Sequence, residues 1–221
     1  MKRLIVFDFD GVIADSEMLA NAVLAEIVTE LGAPMMLEGS LQAFTGKRFD
    51  EVIAMVSAMT GRSVADCAAV NLERRTIARF RRELKEVAGV RAYLDAFGHV
   101  KRCIASSSSP QRLAACLDIL GFADAFGSNV YSASLVARGK PHPDIFLHAA
   151  AQSGVSPTDA IVIEDSENGV RAAVAAEMTV VGLLAASHIR PGHDERLRNA
   201  GAHHVAYSYG EVDEITRRLL A

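Results

Sequence analysis

Residues Leu4-Ile5-Val6-Phe7 form an unbroken apolar run that ends in Asp8-Phe9-Asp10-Gly11. Four bulky apolar residues in a row are the pattern of a strand buried on both faces, as in a parallel sheet. Side chains alternate along a strand, so Asp8 and Asp10 share a side and Phe9 opposes them. Two carboxylates about 4 Å apart repel by about 4 kcal/mol at the effective dielectric of a protein surface. The pair therefore predicts a cation, a displaced proton, or both. A chain that closes a buried strand in this way must organise its fold around a charged site at that strand's end.

The remaining sequence reads as a βα alternation from about residue 99 onward. Strands are expected at 100–105, 128–131, 160–163, 179–184 and 203–206. Between them, Ser109 is placed to cap a helix, Pro110 to open it and Gly121 to end it, with Leu113, Leu117 and Leu120 on one stripe. A second helix is expected over 144–153, and a third runs through Ala172–Ala176. Such alternation means an α/β, Rossmann-like parallel sheet with helices on both faces. Residues 15–87 differ, because they carry helical stripes and no strand pattern. Leu19, Val23, Ile27 and Leu31 form one stripe with Gly32 as its stop. Val52, Met55, Val56 and Met59 form another, and Ile77, Phe80, Leu84 and Val87 a third. The expected organisation is an α/β core from residues 1–14 and 88–221, with an all-helical cap domain, 15–87, inserted after the first strand and hinged near Asp15 and Ala88-Gly89.

Half of the residues are apolar, enough for a sizeable core, and the net charge of −4 comes from interspersed signs. That balance argues against a nucleic-acid face. Lys2 and Arg3 precede only four apolar residues, too few for a signal-peptide core, and no stretch suits a membrane span. Three cysteines without a CxxC pair read as reduced thiols, with Cys103 inside an apolar run. A cytoplasmic protein, monomeric or weakly dimeric, is the expectation.

Polar clusters follow several of the apolar runs. Ser106-Ser107-Ser108-Ser109 follows Ile104-Ala105, and Glu164-Asp165-Ser166 follows Ile161–Ile163. Lys140 stands in the turn Gly139-Lys140-Pro141-His142-Pro143. Ligands of open α/β sheets bind outside the carboxyl ends of the strands, so these groups can converge with Asp8 and Asp10. Acidic oxygens without a His/Cys cluster select a hard cation, Mg²⁺ first. A serine hydroxyl, amides and one lysine suit phosphoryl oxygens. With aspartate as nucleophile, phosphoryl transfer through an aspartyl phosphate follows as the natural chemistry.

The ordered set Asp8-Phe9-Asp10-Gly11-Val12, Ser106, Lys140 in Gly-Lys-Pro-His-Pro-Asp, and Glu164-Asp165-Ser166-Glu167-Asn168-Gly169 resembles the four motifs of the haloacid dehalogenase superfamily. Its closest likeness is to the β-phosphoglucomutase-like branch, which includes small sugar-phosphate phosphatases. The resemblance implies Asp8 as the metal-bound nucleophile and Asp10 as proton carrier, with the Asp10 backbone carbonyl on Mg²⁺. It implies Ser106 and the Ser107 amide on phosphoryl oxygens, Lys140 between Asp8 and the phosphate, Asp165 as a metal ligand and Glu164 in support. The cap would close to exclude water and select a small phosphorylated metabolite.

Two positions depart from the family pattern. Ala176-Glu177-Met178 lacks the glycine usual before the methionine, which removes a favoured helix stop. No histidine occurs before His99, whereas the mutase subgroup carries a cap histidine near Met18-Leu19-Ala20. Hydrolysis of sugar or sugar-acid phosphates is therefore expected, ahead of a phosphosugar mutase and, further behind, a non-catalytic phospho-accepting receiver module. The arginines between Arg74 and Arg82 alternate with glutamates and read as a solvated helix face. Lys47 and Arg48, after Gly46, are candidates for touching the substrate. Asp15 reads as a cap or turn residue, Ser108 and Ser109 as turn and cap, and His142, His203 and His204 as ordinary.

Overall fold

A computed structural model describes residues 4–45, 47, 49–61 and 66–221. Strand β1 (Leu4–Phe7) is buried at every residue and lies centrally between two neighbours. These are β2 (Lys101–Ser106) and β4 (Ala160–Glu164). The outer strands are β3 (Val130–Ser132), β5 (Thr179–Leu183) and β6 (His204–Ala206), and the order β3-β2-β1-β4-β5-β6 is parallel throughout. Phe7 is level with Ile104 on β2 and with Ile163 on β4. Asp8, Ser106 and Glu164 thus stand at the carboxyl ends of three adjacent parallel strands. Ser106 is the last residue of its strand rather than the first of a loop.

Alternation along β1 divides the core. Ile5 and Phe7 face one layer, where Phe7 meets Tyr93 and Phe126 edge-on at 6.0 and 5.7 Å. Leu4 and Val6 face the other layer, against Ile145, Phe146 and Ala149. The first layer uses α5 (Val90–Ala96), α6 (Pro110–Leu120), α7 (Ala123–Phe126) and α11 (Tyr209–Leu220). The second uses α8 (Asp144–Ser153), α9 (Glu167–Ala175) and α10 (His193–Ala200). Within α6, Ser109 accepts from the Arg112 amide, Pro110 opens the helix and Gly121 closes it at φ 68°, as the sequence suggests.

Between β1 and α5 come α1 (Glu17–Glu30), α2 (Leu37–Phe44), α3 (Phe49–Thr60) and α4 (Asp66–Glu83). They share an apolar cluster of their own around Val23, Ile27, Val28, Phe44, Val56 and Leu72. The helical stripes are divided differently from the expectation. Leu19 packs on the sheet's core, as do Phe80, Leu84 and Val87, while Leu72 joins the cluster of α1–α3. Helix α4 is long enough to serve both cores. Met59 is exposed rather than packed. The two chain crossings run side by side: the Asp15 amide donates to the Lys85 carbonyl and the Val87 amide to the Ile13 carbonyl, both at 2.9 Å. No described helix is long and apolar enough to cross a membrane.

Candidate active site

Past Phe7 the chain keeps its ladder for one more residue, with the Asp8 amide donating to the Ile163 carbonyl at 2.9 Å. It then turns tightly, the Ile13 and Ala14 amides both donating to the Phe9 carbonyl. Gly11 permits this turn at φ 80°, and a Cβ there would lie 1.8 Å from Asp165 Oδ2. The glycine is thus required twice, by the backbone and by the neighbouring acid.

The buried ammonium of Lys140, which follows Gly139 and precedes a cis Pro141, donates to Asp8 Oδ1 and to Glu164 Oε1, each at 2.7 Å. Glu164 is completely buried, and its other oxygen accepts from the amide and hydroxyl of Ser166. Its seat exists because residue 169 is glycine: a Cβ there would stand 1.5 Å from Glu164 Oε1. One oxygen each from Asp8, Glu164 and Asp165 lie within 4.8 Å of one another. Burial, the largest effect, raises the Asp8 and Asp165 pKa values, and the surrounding acids add to it despite Lys140. Burial alone would lower Lys140, but Asp8 and Glu164 override it and hold the ammonium above the usual lysine range. Three acids against one lysine make a set of hard oxygen donors suited to a divalent cation such as Mg²⁺.

Asp10 stands apart from that cluster. Its carboxylate accepts from Ser16 Oγ at 2.5 Å and from Ser108 Oγ at 2.6 Å. The sequence places both acids on one side, and both line one cavity, yet different partners hold them. Ser108 is therefore more than a turn residue. Ser109 is more than a cap, since its hydroxyl also donates to Glu73 Oε1 at 2.6 Å. Ser106 is buried and accepts from the Ser108 amide, and Ser107 lines the same cavity.

That cavity, about 900 Å³ counted out to solvent, brings Asp8, Asp10, Ser106, Ser107, Lys140, Glu164 and Asp165 together, with Lys47 at its wall. Arg48 lies outside the described residues. The opposite wall is built by the helical segment through Glu17, Asn21, Thr45 and Glu73, with Arg112 from α6. Arg75 and Arg79 point elsewhere, pairing with Glu26 and Glu30 on α1 at 2.7–3.0 Å.

Several residues of the site escaped the sequence reading. Glu17 opens α1, and burial together with Asp10 pushes its carboxyl up to about 8. His188 Nε2 lies 3.1 Å from Asp165 Oδ2 without hydrogen-bond alignment, and His193 Nε2 is 2.6 Å from the Asp165 carbonyl. Burial, the largest effect, lowers both imidazoles below the usual histidine range. Asp15, read as a cap or turn residue, accepts from the amide and hydroxyl of Ser187 instead. Ser187 and His188 follow β5, so the strand-end rule could have flagged them. Cys103 and Cys116 are free and buried, and burial pushes the Cys103 thiol up to about 12. The Cys67 side chain lies outside the described residues.

The model of haloacid dehalogenase-like hydrolases matches residues 2–177. The chain belongs to that family of hydrolases. It is similar to 6-phosphogluconate phosphatase of Escherichia coli K12, with 28% identity over 188 residues that cover 85% of each chain. Hexitol phosphatase B of the same organism is 28% identical over 184 residues, covering 78% of this chain and 79% of the relative. Among solved structures, a haloacid dehalogenase-like protein of Agrobacterium tumefaciens C58 superposes with a TM-score of 0.83 at 36% identity over the whole of both chains. The chain is an enzyme of this class, and these curated relatives are phosphatases acting on small phosphorylated metabolites.

Proposed function

We propose that the protein is a cytoplasmic, Mg²⁺-dependent phosphatase of sugar or sugar-acid phosphates that works through an aspartyl phosphate on Asp8. The reading rests on one observation: Lys140 joins Asp8 to Glu164 at 2.7 Å each, beside Asp165, while Asp10 is held separately by two hydroxyls. A nucleophile and a proton carrier in one cavity with different partners can act in sequence. An Asp8 oxygen attacks phosphorus as the bond to the leaving oxygen breaks, and Asp10 gives that oxygen its proton. Water then attacks the phosphorus of the aspartyl phosphate, Asp10 takes the water's proton, and the bond to Asp8 breaks.

Ser106, the Ser107 amide and Lys140 hold the phosphoryl oxygens, and Lys140 keeps the Asp8 carboxylate turned toward phosphorus. Asp8, Asp165 and the Asp10 carbonyl, with Glu164 in support, are the groups that would hold Mg²⁺. That ion, when bound, supplies positive charge for a dianion that must meet a carboxylate. Residues 15–87 serve as a cap over the core of 1–14 and 88–221. Their separate apolar cluster and the paired crossings at Ala14 and Glu86 support this. A mutase must keep its phosphoenzyme from water, and the segment before His99 offers no histidine toward that end.

Purified protein is expected to release phosphate from p-nitrophenyl phosphate with Mg²⁺, and Asp8→Asn to lower that rate by at least 10³-fold, about 4 kcal/mol of barrier. Wild-type turnover by Asp8→Asn would remove Asp8 as nucleophile. Conversion of a hexose 1-phosphate to its 6-phosphate, primed by a bisphosphate and faster than phosphate release, would replace hydrolysis by the mutase reaction.

A further inference from the structure

The wall of the cavity away from Lys140 is built of polar groups that the phosphoryl chemistry does not use. Glu17 Oε2 accepts from Asn21 Nδ2 at 2.9 Å, and Asn21 Oδ1 accepts from Ser40 Oγ at 2.9 Å. Asn21 and Ser40 are buried, at 3% and 0% exposure, between α1 and α2. Burying such a relay between helices costs free energy that apolar residues would not, and its effect is to fix the direction of one carboxyl group. Thr45 Oγ1, on the same wall, is buried and has no hydrogen-bond partner among the described residues. An orphaned hydroxyl beside a fixed carboxyl suits a ligand that both donates and accepts, as an alcohol does.

Charge narrows the ligand further. Outside the catalytic acids and Lys140, the cavity's described titratable side chains are Glu17, Glu73, Lys47 and Arg112. Arg112 already pairs with Glu73 at 3.2 Å. A leaving group bearing a carboxylate would bring a further acid against Glu17, Asp10 and the burial that already oppose charge there, whereas hydroxyls can donate to the Glu17 oxygens. The same surroundings that make a negative charge on Glu17 unfavourable, burial first and Asp10 next, would act on a substrate carboxylate there.

Accepting the phosphatase reading, on which this rests, we propose that Glu17, braced by Asn21 and Ser40, determines specificity. It selects an uncharged, hydroxyl-rich leaving group, a sugar or polyol monophosphate, over the phosphate of a sugar acid or hydroxy acid. Glu17 receives the leaving group's hydroxyls, a ligand hydroxyl supplies the partner that Thr45 Oγ1 lacks, and a carboxylate would find the same unfavourable surroundings as Glu17 itself.

The test compares kcat/KM at saturating Mg²⁺ for sorbitol 6-phosphate and fructose 1-phosphate with that for 6-phosphogluconate and phosphoglycolate, with p-nitrophenyl phosphate as a common reference. The better neutral substrate is expected to exceed the better anionic one by fivefold or more, and a smaller or inverted ratio overturns the inference. In Glu17→Gln and Asn21→Ala the ratio is expected to shrink at least threefold, through a raised KM for the neutral substrates. An unchanged ratio in folded variants overturns the role of Glu17. The wild-type ratio decides the substrate class even if a variant fails to fold. Failure to hydrolyse any monoester, p-nitrophenyl phosphate included, removes the phosphatase reading and this one with it. Turnover of that reference without the expected ratio removes this inference alone.

Discussion

Glu177 holds its backbone at φ 61°, the one described non-glycine residue with a positive φ. It directly follows the C-cap of α9, where the chain needs a left-handed residue to leave the helix. The sequence suggests that losing the family's glycine weakens this stop, yet the helix ends where it should and the exposed glutamate carries the strain. A left-handed β-carbon costs roughly 1–2 kcal/mol, part of which glycine returns as unfolded-state entropy. Glu177→Gly is therefore expected to stabilise by about 0.5–1 kcal/mol, a rise of roughly 1–4 °C in Tm; an unchanged or lower Tm would show that the turn is not strained. Glu17 offers a second residue-level test, through pH. Its folded pKa of about 8 lies above the ordinary glutamate value of 4.5, so between those values the native state keeps a proton that the unfolded chain releases. Stability from this group is complete below about pH 4.5 and lost as pH rises through 8. Because the residue is only half-buried, solvent screening holds the effect to roughly 1 kcal/mol. Removing the titration in Glu17→Gln should make the variant gain on wild type, in Tm, from pH 5.5 to pH 8.5 in EDTA. A constant difference would mean that Glu17 titrates normally.

Among the elements, α4 does the least obvious work. Its pattern reads as a solvated amphipathic helix, and Arg75 and Arg79 fit that reading by pairing with α1. Glu73, one of the interleaved glutamates, instead crosses to α6 and takes bonds from Ser109 and Arg112. Nothing local distinguishes Glu73 from Glu83, which pairs along its own helix with Arg79. Only the tertiary approach of α4 to the start of α6 gives it a partner. The same reason hides Ser16, Ser108 and His188, whose roles depend on chain segments brought from far away. The strands, the cap, opening and stop of α6, and the ordered acids were legible because each is written in adjacent residues. Glu73→Ala removes two charge-assisted bonds whose side chains are 17% and 19% exposed at the ion pair, and it should cost about 1–2 kcal/mol. Urea unfolding checks this, and a loss below a few tenths of a kcal/mol would make the bridge incidental.

At the scale of the whole molecule, the sheet order explains why acids distant in sequence can share a site. β1 is flanked by β2 and β4, so the ends carrying Asp8, Ser106 and Glu164 emerge side by side. That convergence was foreseeable from the strand-end rule; the exclusion of the Asp10 carboxylate from the acid cluster was not, because Ser16 and Ser108 decide it. The fold thus holds Asp8, Glu164 and Asp165 close together against Lys140, and the folded chain carries repulsion that the unfolded chain does not. A cation that binds only the folded state stabilises it by mass action, by about 2.7 kcal/mol at a hundredfold excess over Kd. For a chain of this size that amounts to roughly 5–10 °C in Tm. Thermal unfolding in 10 mM MgCl₂ should therefore exceed that in EDTA by several degrees, with no substrate present. Asp165→Asn should lose most of the shift, because it removes one of the three converging acids and half of the charge that an incoming Mg²⁺ would neutralise. It should also melt higher than wild type in EDTA, since the same substitution relieves the repulsion. An equal Mg²⁺ shift in both proteins would place the ion away from Asp165. A shift lost without any gain in EDTA would mean that protons already neutralise the cluster in the metal-free state.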